Sequence, residues 1–340
     1  WFRLLGADMA ALRMFTGGLG VATVALLYAL ARRGGAAFAL LAAGLLAIFP
    51  AAVLYSRFGF SYNLLAPLLL LALIGLERYA AGRRYGLQLA ALAVGLGVVS
   101  DLAMLTVAPV VVLVALSRRR WQDVVSVVLL LALPFGLYAL VMLARAPSAF
   151  LFDLGFTLFR LNPLSPVEQI INIARNYTIL MSQDFWLLAG VIGLWVLPTA
   201  RLRALALLMF WLPFGLMGRT VALYSLSFYY LIPLLPLVAL GAAALVWHGT
   251  PYLWTITRAG LQTGLSRWFI PRAAANAGAA LVVVLVVASP FAVTLALTLD
   301  GVQQRLPTAI DPFLINPDDA RRAAAYVNQQ TNPEDVVIAS

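Results

Sequence analysis

The sequence predicts an all-α polytopic membrane protein with about ten transmembrane helices, and three observations lead to this fold class. First, 63% of its 340 residues are hydrophobic and 11% are charged, whereas a soluble domain carries about 25% charged residues. Second, nearly uncharged runs of about 18 residues or more recur, which is enough to cross ~30 Å of hydrocarbon. Third, these runs are continuous and lack the alternation of a transmembrane β-barrel.

Charged residues punctuate the apolar runs and so indicate where the predicted spans end. The fourth and fifth spans are short, and Asp101 marks the turn between them. A single span over 86–116 would put the arginines at 83–84 and 118–120 on opposite faces of the membrane, so two spans are preferred. The ten predicted spans cover about residues 15–32, 36–54, 64–80, 86–100, 102–116, 124–143, 185–198, 204–218, 228–247 and 275–299.

The distribution of charge predicts how the chain is oriented. The net charge is +10, and every basic residue is an arginine. If residue 1 lies outside, the inner loops hold more than half of the arginines but only two acids, Glu77 and Asp123. Because basic residues favour the cytoplasmic side, this asymmetry predicts a multi-pass protein of the plasma (inner) membrane whose residue 1 and C-terminal tail are extracytoplasmic. The basic charge is thus an orientation signal, and no nucleic-acid partner is expected.

Residues 1–299 are predicted to form the transmembrane domain, and two further segments are expected outside the bilayer. In the outer loop 144–184, Ser165 and Glu168 have capping-box spacing, and apolar residues recur behind them at helical spacing. An amphipathic helix on the membrane surface is predicted there. Residues 300–340 are polar and acidic and end on the strand-like "DVVIAS". They are predicted to begin an extracytoplasmic α/β domain that is cut off.

The segment "LYSRFGFSYN", residues 54–63, places a cation and hydroxyl groups between two apolar spans. Ionisable side chains near lipid are costly and often mark a site. Arg57 has the chemistry to bind phosphate oxygens bidentately, and Tyr62 and Asn63 are candidate ligands beside it. An arginine that only anchors the helix at the lipid headgroups, flanked by interfacial aromatic residues, would show the same sequence pattern. Position alone does not separate these interpretations.

Further candidates lie at other predicted outer span ends. Arg13 is either a substrate ligand or part of an ion pair that packs helices. Asp101 is suited to pairing an arginine, binding a metal or holding a sugar hydroxyl, and equally to capping a helix. Arg160 is a ligand or a solvated loop charge. Tyr229 and Tyr230 form an aromatic pair where the ninth span begins.

Several common kinds of site are excluded or disfavoured. The chain has no cysteine, so disulfides and thiolate metal ligands are excluded. His248, the single histidine, falls on the predicted inner side. The sequence therefore identifies no particular cofactor, and it does not decide whether a divalent metal binds. The glycines of "GGLG", residues 17–20, fall within a membrane helix and predict close helix packing rather than a nucleotide loop.

Four stretches taken together resemble a known family. They are, in chain order, "WFRLLGADMAALRMFTGGLG" with the basic end "ALARR", "AIFPAAVLYSRFGFSYNLLAPLLLLALIGLERY", "FYYLIPLLPLVALGAAALV" and "DDARRAAAYVNQQTNPEDVVIAS". Their order and spacing resemble the GT-C glycosyltransferases related to the dolichyl-phosphate-mannose-protein mannosyltransferases and to the lipid A aminoarabinose transferase. The chain resembles a fragment of such an enzyme that lacks the first span and the first outer loop.

The resemblance implies transfer of a sugar from a polyprenyl-phosphate donor to a lipid, glycan or protein acceptor on the outer face of the membrane. Membrane lipids are expected as further partners. In the family the catalytic carboxylate lies in the first outer loop, so it is expected N-terminal to Trp1. The chain departs from the family pattern at three places. Residues 61–63 are Ser-Tyr-Asn where many relatives carry an acid, Asp101 stands where some carry a lysine, and Tyr229 stands where an arginine or histidine is usual.

Two other functions fit the same spans, namely a transporter or lipid flippase and a non-catalytic scaffold of the same fold. Transporters usually show two related halves and polar residues near the middle of the membrane. This sequence shows no matching halves, and its charges collect at the predicted outer span ends. The glycosyltransferase is therefore the favoured interpretation.

Overall fold

The structure, a computed structural model, is helical throughout the part of the chain that it describes, and the predicted all-α polytopic membrane fold is confirmed. The described residues are 9–56, 61–83, 85–117, 120–160, 165, 167–168, 170–171, 174, 185–220, 228–266, 272–304, 322, 325–326 and 329. The strand predicted in "DVVIAS" lies outside this part, as does most of the predicted start of the α/β domain, residues 300–340.

Twelve α-helices and three 3-10 helices have bounds within the described residues. The α-helices are α1 Met9–Ala31, α2 Ala36–Ile48, α3 Pro50–Tyr55, α4 Tyr62–Ala80, α5 Gly86–Ser100, α6 Ala108–Ser117, α7 Trp121–Arg145, α8 Pro147–Arg160, α9 Phe185–Leu194, α10 Ala200–Thr220, α11 Leu235–Ser266 and α12 Arg272–Gln304. The 3-10 helices are Arg32–Gly34, Leu102–Val107 and Phe228–Leu234.

Five helical segments of the described chain are long and apolar enough to cross a membrane: Ala11–Gly34, Tyr62–Ala80, Trp121–Arg145, Leu231–Thr263 and Asn276–Leu299. Three shorter apolar segments accompany them, so the predicted total of ten spans stays a prediction. Helices α4 and α11 form the centre, since 72% and 78% of the residues in their apolar windows are buried. In α7 and α12 the buried shares are 6% and 11%, so these helices lie at the periphery and face lipid.

One predicted span, residues 36–54, is in fact two helices. Helix α2 ends at Ile48, Phe49 is extended (φ −68°, ψ 119°), and α3 begins at Pro50. The physical reason is Pro50, which lacks a backbone N–H and disfavours the helical conformation of the residue before it. The hydroxyl of Thr298 donates to the carbonyl of Ile48 at 2.7 Å. A backbone group freed by the break is thereby satisfied where water is scarce.

Other helix bounds also differ from the predicted spans. The fifth span begins as the 3-10 helix Leu102–Val107, and the ninth as the 3-10 helix Phe228–Leu234. Helix α11 continues to Ser266, well past the predicted end of the ninth span at residue 247. Helix α8 was not predicted, because its 14 residues are too few to read as a span.

The bundle has two ends, named here by their contents. At the basic end, where the chain reverses at residues 32–35, 81–83 and 195–199, Arg33 forms an ion pair with Glu77. The hydroxyl of Tyr79 donates to Asp123 at 2.6 Å. At the cavity end, α3 is followed by α4, α5 reaches Asp101, and the 3-10 helix Phe228–Leu234 leads into α11.

Candidate functional site

A cavity of about 290 Å³ lies between helices at the cavity end of the bundle. Its walls come from α1, the end of α2, α3, the first turn of α4 and the residues around the start of α11. Most of the lining is apolar, and three side chains bring polar atoms to it: Thr23, Ser56 and Asn63. A mainly apolar cleft with a few placed polar groups is the usual form of a small-ligand site.

The glycines of α1 leave the space that the cavity occupies. A Cβ atom at Gly17 would meet no atom within 4 Å, and the same holds for Gly18. A Cβ at Gly20 would lie 3.3 Å from the Cβ of Ser56. The predicted close packing of "GGLG" is therefore right only at Gly20. Gly17 and Gly20 line the cavity, whereas Gly18 is exposed on the surface of α1.

The polar groups of the cavity are held by backbone hydrogen bonds. The side-chain amide of Asn63, which is 7% exposed, donates to the carbonyl of Tyr55 at 2.9 Å. The hydroxyl of Ser56 donates to Val53, and that of Thr23 donates to Leu19, both at 2.7 Å. Each hydroxyl oxygen keeps acceptor lone pairs after donating its hydrogen. The site thus presents fixed oxygen acceptors to whatever enters it.

A second polar cluster lies where α4 and α5 meet at the same end of the bundle. The carboxylate of Asp101 accepts from the hydroxyl of Ser61 at 3.2 Å and from the backbone N–H of Ala103 at 2.8 Å. The hydroxyl of Ser100 donates to the carbonyl of Ser61 at 3.4 Å. Asp101 is half-buried and forms no ion pair with any described residue. Asp101 caps the 3-10 helix Leu102–Val107, so the predicted capping role is confirmed.

The structure brings some of the predicted site residues together. Tyr62 and Asn63 open α4, directly after Ser61, and Asn63 lines the cavity. Through Ser61, these residues are linked to Asp101. Arg13 lies on α1 one turn before Gly17, is exposed, and makes no ion pair with a described residue.

Four predicted site residues are described in part or not at all. Arg57 lies outside the described residues. Arg160 ends α8, and Tyr229 and Tyr230 belong to the 3-10 helix that precedes α11. Only the backbone of these three is described. The neighbouring Ile232 of that 3-10 helix does line the cavity.

Most residues of the cavity wall were not predicted as site residues, among them Thr23, Ser56 and Gly17. Each of these three belongs to a type that is common in membrane helices, so composition gives no signal for them. Among the described residues, no group of three or more His, Cys, Asp or Glu side chains is placed to hold a metal ion. A divalent metal stays untested.

The first part of the chain matches a known family. Residues 1–145 match the family model described as dolichyl-phosphate-mannose-protein mannosyltransferase. Neither the comparison with curated proteins nor the comparison with solved structures finds a match. The match covers α1 to α7, which include most of the cavity wall and Asp101. It confirms the resemblance to the GT-C superfamily over residues 1–145, which hold two of the four similar stretches, and supports, in general terms, a membrane glycosyltransferase.

Proposed function

We propose that the protein transfers a sugar from a polyprenyl-phosphate donor to a lipid, glycan or protein acceptor, and that the cavity end faces the outside of the plasma membrane. The observation that carries the proposal is the cavity of about 290 Å³, whose mainly apolar walls also carry the polar side chains of Thr23, Ser56 and Asn63. A prenyl phosphate likewise combines a hydrocarbon tail with a polar head. The apolar part of the cavity takes the first isoprene units of the donor.

The chemistry of such a transfer places two demands on the protein. The departing phosphate must be stabilised by positive charge, and a carboxylate must take the proton from the acceptor hydroxyl. Arg57 follows Ser56 of the cavity wall directly in sequence, and Arg13 lies one turn from Gly17. These two arginines are the proposed phosphate ligands, because guanidinium binds phosphate oxygens bidentately and stays charged.

Asp101 is the proposed hydroxyl ligand of the cavity end. Its carboxylate is held by Ser61 and Ala103 without a neutralising arginine among the described residues. A half-buried carboxylate has acceptor capacity beyond these two donors. It is suited to bind a hydroxyl of the donor sugar or of the acceptor. Tyr62, Tyr229, Tyr230 and Arg160 complete the set of proposed substrate ligands.

Filling the cavity tests the proposal without disturbing the helices. Gly17→Leu places an isobutyl group in the cavity, where no atom opposes its Cβ within 4 Å. We expect binding of undecaprenyl phosphate to the purified protein in nanodiscs to weaken at least tenfold, which corresponds to about 1.4 kcal/mol. Binding is measured by displacement of a fluorescent prenyl phosphate.

The matched control for this experiment is Gly18→Leu. Gly18 has the same open surroundings but does not line the cavity. We expect this variant to bind undecaprenyl phosphate as the unmodified protein does. Undecaprenol, which lacks the phosphate, is the second control and should compete poorly. Equal binding by the Gly17 and Gly18 variants would remove the cavity from the donor site.

A further inference from the structure

Helix α8, Pro147–Arg160, follows the lipid-facing helix α7 after the single residue Ala146. Its 14 residues give it a length of about 21 Å. That is too short to cross ~30 Å of hydrocarbon. The chain therefore leaves the span α7 and turns at once into a helix that cannot itself be a span.

Aromatic contacts hold α8 against α7. Phe150 is 8% exposed, and its ring meets that of Tyr138 edge-on with 6.1 Å between centroids. The ring of Tyr138 also lies 6.2 Å from that of Phe135, one turn earlier in α7. Because Tyr138 lies about two turns before the end of α7, the first turn of α8 lies beside the final turns of that helix.

The two residues that follow Phe150 have large apolar side chains that are exposed. Leu151 is 57% exposed and Phe152 is 72% exposed. On α7, Leu137 and Leu140 are exposed in the same way. Since α7 is buried over only 6% of its apolar window, its surface is a lipid-facing one. The exposed apolar residues of α8 follow this lipid-facing helix directly in the chain, after the turn at Ala146.

We propose that α8 lies in the boundary between acyl chains and headgroups at the cavity end, with Leu151 and Phe152 inserted into the lipid. Continuity with the lipid-facing surface of α7 identifies the bilayer as the occupant. A helix with apolar and polar residues that lies in this boundary is a common membrane anchor. The anchor holds the segment that follows it close to the bilayer, where Val167, Ile170 and Ile171 are also exposed.

The chain is well suited to a direct test, since it contains no cysteine. Single cysteines replace Leu151, Phe152 or Asp153, a nitroxide is attached, and the protein is placed in nanodiscs. Collisions with oxygen, which concentrates in lipid, are compared with collisions with a nickel chelate, which stays in water. Leu140→Cys on α7 is the lipid reference. Asp153 is exposed and lies about 200° round α8 from Leu151 and about 100° from Phe152, so it faces away from the middle of the surface that these two residues form.

We expect the labels at positions 151 and 152 to favour oxygen as the label at 140 does, and the label at 153 to favour the nickel chelate. Two results would overturn the proposal. If the labels at 151 and 152 favour the nickel chelate, α8 stands in water. If they are shielded from both reagents, a protein partner or a second copy of the chain covers the surface. Neither result bears on the donor site, which α8 does not line.

Discussion

At the basic end of the bundle, Arg33 and Tyr79 each bind a carboxylate on another helix, whereas at the cavity end the donors to Asp101 among the described residues are a serine hydroxyl and a backbone amide. The glycines differ in the same sense. A Cβ at Gly86 would overlap the backbone of Tyr79 and Gly75, while a Cβ at Gly17 would meet nothing within 4 Å.

This difference indicates that the two ends of the bundle have different roles. At the basic end, the ion pair of Arg33 and Glu77, the hydrogen bond of Tyr79 to Asp123 and the backbone contact of Gly86 hold α4 against its neighbours. At the cavity end the polar groups are oriented by local bonds and the space beside Gly17 stays open. In these residues, contacts between helices mark one end and space for a ligand marks the other.

The largest expected effect is at the glycine contact of the basic end. Gly86→Ala pushes a methyl group into the backbone of α4, which cannot move aside as a side chain would. We expect a loss of about 3 kcal/mol, the upper range of overpacking. Gly17→Ala is the matched control and should be neutral or gain roughly 0.5–1 kcal/mol, because alanine favours the helix. Thermal unfolding in detergent measures both, and similar losses at the two sites would refute the division between the ends.

The next effect comes from the ion pair of the basic end, and it is asymmetric. The side chain of Glu77 is 6% exposed and that of Arg33 is 42% exposed. Arg33→Ala leaves a buried carboxylate without its partner, which we expect to cost about 2 kcal/mol, less than a fully buried pair because Arg33 reaches water. Glu77→Gln should cost less, since the arginine can extend to the interface. The unfolding midpoints of both variants check the order, and the reverse order would contradict the burial argument.

At the cavity end, Asp101 gives a smaller effect on stability and a separate one on activity. Asp101→Ala removes the cap of the 3-10 helix and should cost about 1 kcal/mol, whereas Asp101→Asn keeps an acceptor and should cost less. If Asp101 binds a substrate hydroxyl as a carboxylate, the asparagine variant still loses at least tenfold in sugar transfer. Turnover is measured with polyprenyl-phosphate sugars in nanodiscs. An asparagine variant with full turnover would leave Asp101 with the capping role alone.

The smallest expected effect is a pH dependence outside the spans. Hydrogen bonds from the hydroxyl and the backbone N–H of Ser165 lower the pKa of Glu168. The folded pKa therefore lies below the unfolded one, so the added stability is present above the ordinary glutamate pKa and is lost as the pH falls through the lowered value. Amide exchange at residues 165–171, corrected for intrinsic rates, should show less protection at pH 3 than at pH 7. In Glu168→Gln that loss should disappear; a loss of equal size in the variant would assign it to another group.

Much of this molecule follows from local sequence. The capping box of Ser165 and Glu168 has the predicted hydrogen bonds, because its partners are three residues apart. The polytopic class follows from the length and apolarity of the runs alone. The helix break at Phe49 also has a local cause, namely Pro50. It was not predicted, because the hydropathy of the apolar run does not change across it.

The candidate site was predictable only in part, and the residues show why. Asn63 and Asp101 stood out as polar residues at span ends, and both lie at the cavity end. Gly17 and Thr23 did not stand out, because small residues occur throughout membrane helices, and Ser56 was noted only as one of the hydroxyl groups in the segment 54–63. Whether a glycine is in contact or faces open space depends on a helix remote in sequence, as the contrast between Gly17 and Gly86 shows.

By itself the sequence determined the helical membrane class, the uneven distribution of arginines and acids, and the caps whose partners lie within one turn. These follow from composition and from interactions over a few residues. Only the tertiary structure decided that α1, α3, α4 and the start of α11 enclose a cavity, that Ser61 meets Asp101, and that Arg33 meets Glu77. The physical reason is that these contacts join residues about forty or more positions apart, and their geometry is set by how whole helices cross.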